Sequence, residues 1–135
     1  MVAIIWCSLL ADAAASPGAS TGWRPVTMEV TAYCRCKTCC GPSARGVTSS
    51  GKPADGRIVA APDKYAFGTR MRVPGYGEAT VEDRSGLIRA KGRRAGGRQL
   101  RHDRLDILMP THDAARQWGR RIITVQVKDP PSRPG

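Results

Sequence analysis

Aromatic side chains are scarce in this chain: they make up 5% of it, with a single phenylalanine. Acidic residues are also few, 11 against 22 lysines and arginines. No apolar run approaches the roughly 20 residues that a spanning helix needs, so no transmembrane helix is expected in the mature chain. Neither a Ser-His-Asp order nor a phosphate-cradling glycine loop occurs, and no internal repeat is visible. These gaps argue against a triad hydrolase and a P-loop nucleotide enzyme. No cofactor is expected, and no convincing metal motif is found.

What is plentiful points elsewhere. With Gly 15 and Pro 10 in 135 residues, the chain reads as a turn-rich β domain rather than a helical bundle. The length fits one domain, expected to be a monomer. Residues 1–15 form an apolar stretch ending in Ala11-Asp12-Ala13-Ala14-Ala15. That pattern reads as a secretory signal peptide without the usual positive start, the rival reading being a buried element of the domain. Residues 16–25 read as a polar Pro/Gly linker, residues 26–128 as the domain, and 129–135 as a Pro-rich flexible tail.

The formal charge of +11 draws the chain to polyanions. Export removes nucleic acid from the expected partners and leaves anionic lipid or an anionic envelope polymer. Much of the charge lies between Arg89 and Arg104, interspersed with Gly92, Gly96 and Gly97. That run reads as a solvated, flexible loop, and Asp103 and His102 are taken as exposed parts of it.

Of the five cysteines, Cys7 leaves with the signal, and Cys34, Cys36, Cys39 and Cys40 fall within seven residues. An even count in an exported chain reads as two disulfides. The adjacent pair Cys39 and Cys40 is disfavoured as a bond, so Cys34 and Cys36 would each take one of them. The rivals are free thiols and a zinc site of four cysteines, for which this spacing is cramped. Hence metal ligands are not assigned.

Alternating, β-branched stretches predict strands at 26–33, 57–61, 69–73, 78–83, 105–109 and 121–127, with a half-turn or strand at 87–90. One helix is expected between Thr111 as N-cap and Gly119 as its stop, with Asp113 in the first turn and Trp118 in the core.

Two aspartates stand beside predicted strands, Asp83 in Glu82-Asp83-Arg84-Ser85-Gly86 and Asp106 in Arg104-Leu105-Asp106. A β fold that gathers two carboxylates into one cleft has the equipment for cutting a glycosidic bond. Asp106 among Leu105, Ile107 and Leu108 would have its pKa raised by an apolar setting, as a general acid requires. The plainer reading is that each aspartate pairs with its neighbouring arginine at the surface. Tyr33 is a candidate sugar contact or a packing residue. His112, at the first helical position, would line the cleft or serve the helix start.

Nine segments in order carry a resemblance. They are Val30-Thr-Ala-Tyr-Cys34, Cys39-Cys-Gly-Pro42, Val47-Thr-Ser-Ser-Gly51, Val59-Ala-Ala-Pro62, Phe67-Gly-Thr-Arg70, Val73-Pro-Gly-Tyr-Gly77, Val81-Glu-Asp-Arg84, Arg104-Leu-Asp-Ile107 and the segment from Pro110 to Gly119. Together they resemble the three-aspartate (3D) domain family, related to the catalytic barrel of membrane-bound lytic transglycosylase A. The resemblance covers residues 26–127. It implies a mostly β fold, a six-stranded double-psi β-barrel with one short helix. It also implies cleavage of peptidoglycan between muramic acid and glucosamine, in the periplasm, cell wall or outer membrane, with aspartates in a cleft. Asp106 and Asp83 match two of the three signature aspartates. The first is replaced by Ala61, with Asp63 two residues on as a partial substitute. Ser85 stands where the family has a glycine, at a cost if that position needs positive φ. The basic insert stretches the link to Asp106. The alternative to an enzyme is a non-catalytic wall-binding barrel.

Overall fold

The computed structural model describes residues 22–41 and 46–131. The expected signal peptide at 1–15 and most of the expected linker lie outside the described residues. In chain order the elements are β1 (Arg24–Tyr33), α1 (Lys37–Cys40), β2 (Ile58–Ala60), β3 (Arg70–Val73) and β4 (Gly77–Asp83). They continue with β5 (Arg94–Ala95), β6 (Arg98–Gln99), β7 (Asp103–Leu108), α2 (His112–Trp118) and β8 (Arg121–Lys128).

Six strands close into a barrel in the order β1-β7-β2-β4-β3-β8. Two neighbouring pairs, β1 with β7 and β2 with β4, are parallel; the other four are antiparallel. Exchanging β1, β2, β3 for β4, β7, β8 maps this pairing onto itself, so the barrel has an internal twofold that no sequence repeat betrays. This is the expected six-stranded double-psi barrel. Closure leaves no barrel strand with an open edge.

Alternation sets the inside. Met28 and Val30 of β1, Met71 of β3, Val81 of β4, Leu105 and Ile107 of β7, and Val125 and Val127 of β8 are completely buried. In these strands inward residues alternate with outward ones, a period of two that the pleat supplies, while β2 is buried at all three positions. Truncating Leu105 to alanine would cost about 2–5 kcal/mol.

The helix α2 forms as its sequence dictates. The Thr111 hydroxyl accepts from the Ala114 amide at 3.1 Å, and Asp113 occupies the first turn. Gly119 ends it at φ 66°, where a glycine has no Cβ to strain. Trp118 is buried and its indole N–H donates to the Val30 carbonyl at 3.2 Å, seating the helix on β1.

Two expectations need correction. The basic insert is not a solvated loop: β5 and β6 form a hairpin through Gly96 (φ 58°) and Gly97 (φ 77°), and Ile88, Ala95 and Leu100 are buried. Two successive positive-φ residues make a two-residue turn whose twist suits a hairpin, and glycine takes it freely. Before the hairpin, the stretch expected as a half-turn or strand makes a turn, the Ile88 amide donating to the Ser85 carbonyl at 3.1 Å. Asp103 is not solvated but 3% exposed, accepting from the Tyr65 hydroxyl and the Lys91 amide (2.7 Å) and pairing with Lys64 at 2.7 Å. Ser85 carries no strain, since among the described residues every positive φ belongs to a glycine.

Candidate functional site

The site begins with a slip in register. Strand β2 runs beside β4 with Ile58 opposite Thr80 and Val59 opposite Val81, and then Ala60 falls opposite Asp83 instead of Glu82. On its other side β2 runs antiparallel to β7, with Ala60 opposite Asp106. Strict alternation would put Asp83 in phase with buried Val81. The irregularity shifts that phase by one residue, as a bulge does, and brings Asp83 round to the face that Asp106 already occupies. Leu105 and Ile107 point into the core, so Asp106 between them points out of the barrel.

Both carboxylates line one cavity of about 520 Å³. Its other walls include Tyr33 from β1, Cys39 and Cys40 from α1, the loop residues Gly46 to Thr48, and Arg84 and Ser85 after β4. The two acids have different surroundings. Asp106 accepts one hydrogen bond, from the Thr31 hydroxyl at 2.9 Å, in the register that pairs Thr31 with Asp106 across β1 and β7. Burial raises its pKa to about 6; the Thr31 bond lowers it in part, and the Asp83 charge raises it further. Asp83 instead is held by four donors. Its Oδ1 accepts from the Ser49 amide (2.9 Å), the Ser49 hydroxyl (2.8 Å) and the Arg84 amide (2.9 Å), and its Oδ2 from the Tyr33 hydroxyl at 3.0 Å. Burial first, then the Asp83 charge, raises the Tyr33 pKa, so Tyr33 stays a donor.

The plain alternative, aspartates paired with adjacent arginines, is not what forms. Among the described residues neither Asp83 nor Asp106 has an ion-pair partner within 4.0 Å. The Arg84 guanidinium turns away, donating to the carbonyls of Ala61 (3.2 Å) and Tyr65 (2.7 Å) and lying 4.2 Å from the Phe67 ring centre. Arg104 reaches Glu29 and the Leu87 carbonyl.

The remaining candidates separate. Tyr33 belongs to the cavity, chiefly as a donor to Asp83. Asp63 does not: it is fully exposed, lies 3.4 Å from Arg84, and lines a neighbouring groove with Lys64, Arg89 and Arg93. Ala61, where the resemblance would place an aspartate, is fully buried. His112 is absent from the cavity wall and sits instead against sulfur, with Nδ1 at 3.4 Å from Cys39, 3.7 Å from Cys36 and 4.0 Å from Cys34. Among the described residues Cys34, Cys36, Cys39 and Cys40 form no disulfide, where two are expected from the sequence. Cys34 Sγ is 2.7 Å from Cys36 Sγ and 3.3 Å from Cys39 Sγ, while the Cys40 thiol turns aside to donate to the Cys34 carbonyl at 3.1 Å.

Sequence reasoning missed Ser49 and Thr31, the residues that distinguish the two acids. The Thr-Ser-Ser-Gly turn at 48–51 was the available signal for Ser49, since such turns offer clustered amide and hydroxyl donors.

No family model matches the chain. It is 27% identical over 109 residues to the "Putative cell wall shaping protein YabE" of Bacillus subtilis (strain 168), an alignment covering 80% of this chain and 24% of that protein. It is 28% identical over 109 residues to the "Cell wall-binding protein YocH" of the same organism, covering 77% of this chain and 32% of that one. The chain thus matches 24% and 32% of the length of these curated relatives.

Proposed function

We propose that this barrel is an exported peptidoglycan-cleaving domain of lytic-transglycosylase type. The observation that carries the reading is the meeting of Asp106 and Asp83 in one cavity, the first with a raised pKa and the second fixed by four donors. Two carboxyl groups in unlike environments are what glycosidic cleavage uses. The names of the relatives, one a wall-shaping and one a wall-binding protein, support a role at the cell wall.

In this reading Asp106, protonated, gives its proton to the leaving glycosidic oxygen. The C1–O bond breaks with oxocarbenium character, and the negative charge of Asp83 stabilises that developing cation. Asp106, now a carboxylate, takes the proton of the muramyl C6 hydroxyl as that oxygen closes on C1. The product is a 1,6-anhydro sugar, and no water is consumed. One group serves as acid and then base, which the raised pKa favours. The net charge of +11 holds the anionic wall polymer.

A second reading, a wall-binding module without turnover, is favoured by one observation: buried Ala61 stands where the family has its first aspartate. Purified sacculi separate the two. The enzyme releases anhydro-muropeptides, and Asp106→Asn abolishes release while the protein still sediments with the wall. Wall binding without release by the parent protein would leave the second reading alone standing.

A further inference from the structure

The four cysteines and His112 are not used by the carboxylate chemistry, yet the fold gathers them. Cys34 follows β1, Cys36 caps α1, Cys39 lies within α1, and His112 arrives from the start of α2, more than seventy residues away. One ligand atom from each of Cys34, Cys36, Cys39 and His112 lies within 4.8 Å of all the others. We infer that these three cysteines and one histidine form a site for a zinc ion.

Three arguments carry it. The first is donor chemistry: three thiols and one imidazole are a usual closed zinc set, and four ligands leave no open position, as in structural sites. The second is geometry. Tetrahedral zinc with Zn–S near 2.3 Å and Zn–N near 2.0 Å places its ligand atoms roughly 3.5–3.8 Å apart. His112 Nδ1 already stands at 3.4, 3.7 and 4.0 Å from the three sulfurs. The Cys34–Cys39 separation of 3.3 Å needs a small opening, and only the 2.7 Å Cys34–Cys36 contact must widen by about 1 Å. The third is selection. Cys40, the fourth cysteine, is turned onto the Cys34 carbonyl and takes no part. Two disulfides would have to engage Cys40 and would give His112 no role.

The spacing is cramped only when all four ligands must be sulfurs from this one segment. Replacing the fourth sulfur by a histidine from a distant helix relieves the crowding. Three thiolates and one zinc leave a single negative charge, and Arg35 and Lys37 alternate with the ligands in sequence. Such a centre would tie the end of β1 to α2 and hold the α1 wall of the cavity, to which Cys39 and Cys40 contribute.

The test is zinc itself, on the full chain carrying no affinity histidines. Elemental analysis after dialysis should give one zinc per chain. Cobalt(II) should give the intense visible bands of a tetrahedral thiolate site, and one equivalent of zinc should displace it. Cys39→Ser and His112→Ala should each weaken zinc binding by a hundredfold or more. Cys40→Ser should change it less than threefold. Far-ultraviolet circular dichroism shows whether the barrel persists; if His112→Ala fails to fold, His112→Cys, which supplies a fourth thiolate, should fold and bind. A metal-free chain lighter than its reduced form by about four hydrogens, the mark of two disulfides, overturns the inference. So does zinc bound equally well by the parent and His112→Ala, or lost in Cys40→Ser.

Discussion

Asp83 and Asp106 stand opposite the same residue, Ala60, one on each side of a three-residue strand. That relation depends on the register slip between Val59 and Ala60, which carries Asp83 onto the outer face of the barrel. The small side chain of Ala60 lies between them on the cavity wall. Replacing it with valine would fill part of the space over the two carboxyls. Ala60→Val is expected to retain most of the barrel's stability and to reduce turnover of sacculi by tenfold or more, checked by thermal melting and by muropeptide release in parallel.

The raised pKa of Asp106 makes it a stability liability at neutral pH. Its value is about 6 in the fold, against about 3.9 in the unfolded chain. The folded state therefore holds the extra proton between those values, and stability falls as pH rises from 4 to 6 and stays lower above. Two units correspond to up to about 3 kcal/mol. Asp106→Asn, whose amide oxygen can still accept from Thr31, should match the parent at pH 4 and exceed it by about 2–3 kcal/mol at pH 7.5. Urea melts at the two pH values test this. An equal shift at both would refute the titration argument.

Asp103 should behave in the opposite sense. Burial alone would raise its pKa, but the Lys64 ammonium, the Lys91 amide and the Tyr65 hydroxyl outweigh burial and lower it. Its contribution is therefore full above the unfolded pKa and is lost as pH falls through the lower folded value. Asp103→Ala leaves the buried Tyr65 hydroxyl without an acceptor, at a cost of about 1–3 kcal/mol, while the half-exposed Lys64 ammonium turns to solvent. Unfolding of this variant is expected at a markedly lower urea concentration, with the deficit shrinking in acid.

Much of this molecule was legible beforehand, and the failures share a cause. The six barrel strands declare themselves by alternating β-branched residues, and Thr111 and Gly119 bracket α2 by local hydrogen bonding and φ. Pairing is non-local. Nothing near Asp103 in sequence announces Tyr65 or Lys64, so an aspartate between His102 and Arg104 read as solvated. The hairpin of the insert was closer to hand: Gly96-Gly97 is a two-residue turn signal, hidden by the basic residues around it. The phase of Asp83 depends on an irregularity in its partner strand, and the assembly of His112 with three cysteines depends on where α2 docks. Asp83 and Asp106 were both named from the sequence and line one cavity, but their distinct environments rest on Ser49 and Thr31, contributed by other elements.

Ser49 supplies both an amide and a hydroxyl to Asp83, and its hydroxyl also accepts from the Arg84 amide at 3.1 Å. Ser49→Ala keeps the amide and removes the hydroxyl at an exposed position, so the loss of stability should stay near 1 kcal/mol. The effect on the carboxylate's aim is greater, because one of its four donors is gone. Turnover should fall roughly tenfold while sedimentation with sacculi is unchanged. Equal loss of binding and release would instead mark Ser49 as a polymer contact.

The most discriminating measurement is the pH dependence of release in two proteins. A general acid must carry its proton, so release by the parent should decline above about pH 6, tenfold per unit, following Asp106. Burial is the larger cause of that raised value, and the Asp83 charge is the smaller. Asp83→Asn removes the charge and one of the two acceptor oxygens. The amide can still accept from Ser49 or the Tyr33 hydroxyl, so the cavity should keep its shape. Residual release in Asp83→Asn should therefore be weaker, for want of charge beside the developing cation, and its alkaline limb should move to lower pH by less than the full displacement from an ordinary aspartate. A limb that stays in place would separate the two carboxyls electrostatically. Complete loss of release in Asp83→Asn would mean that Asp83, rather than Asp106, holds the proton that is given to the glycosidic oxygen.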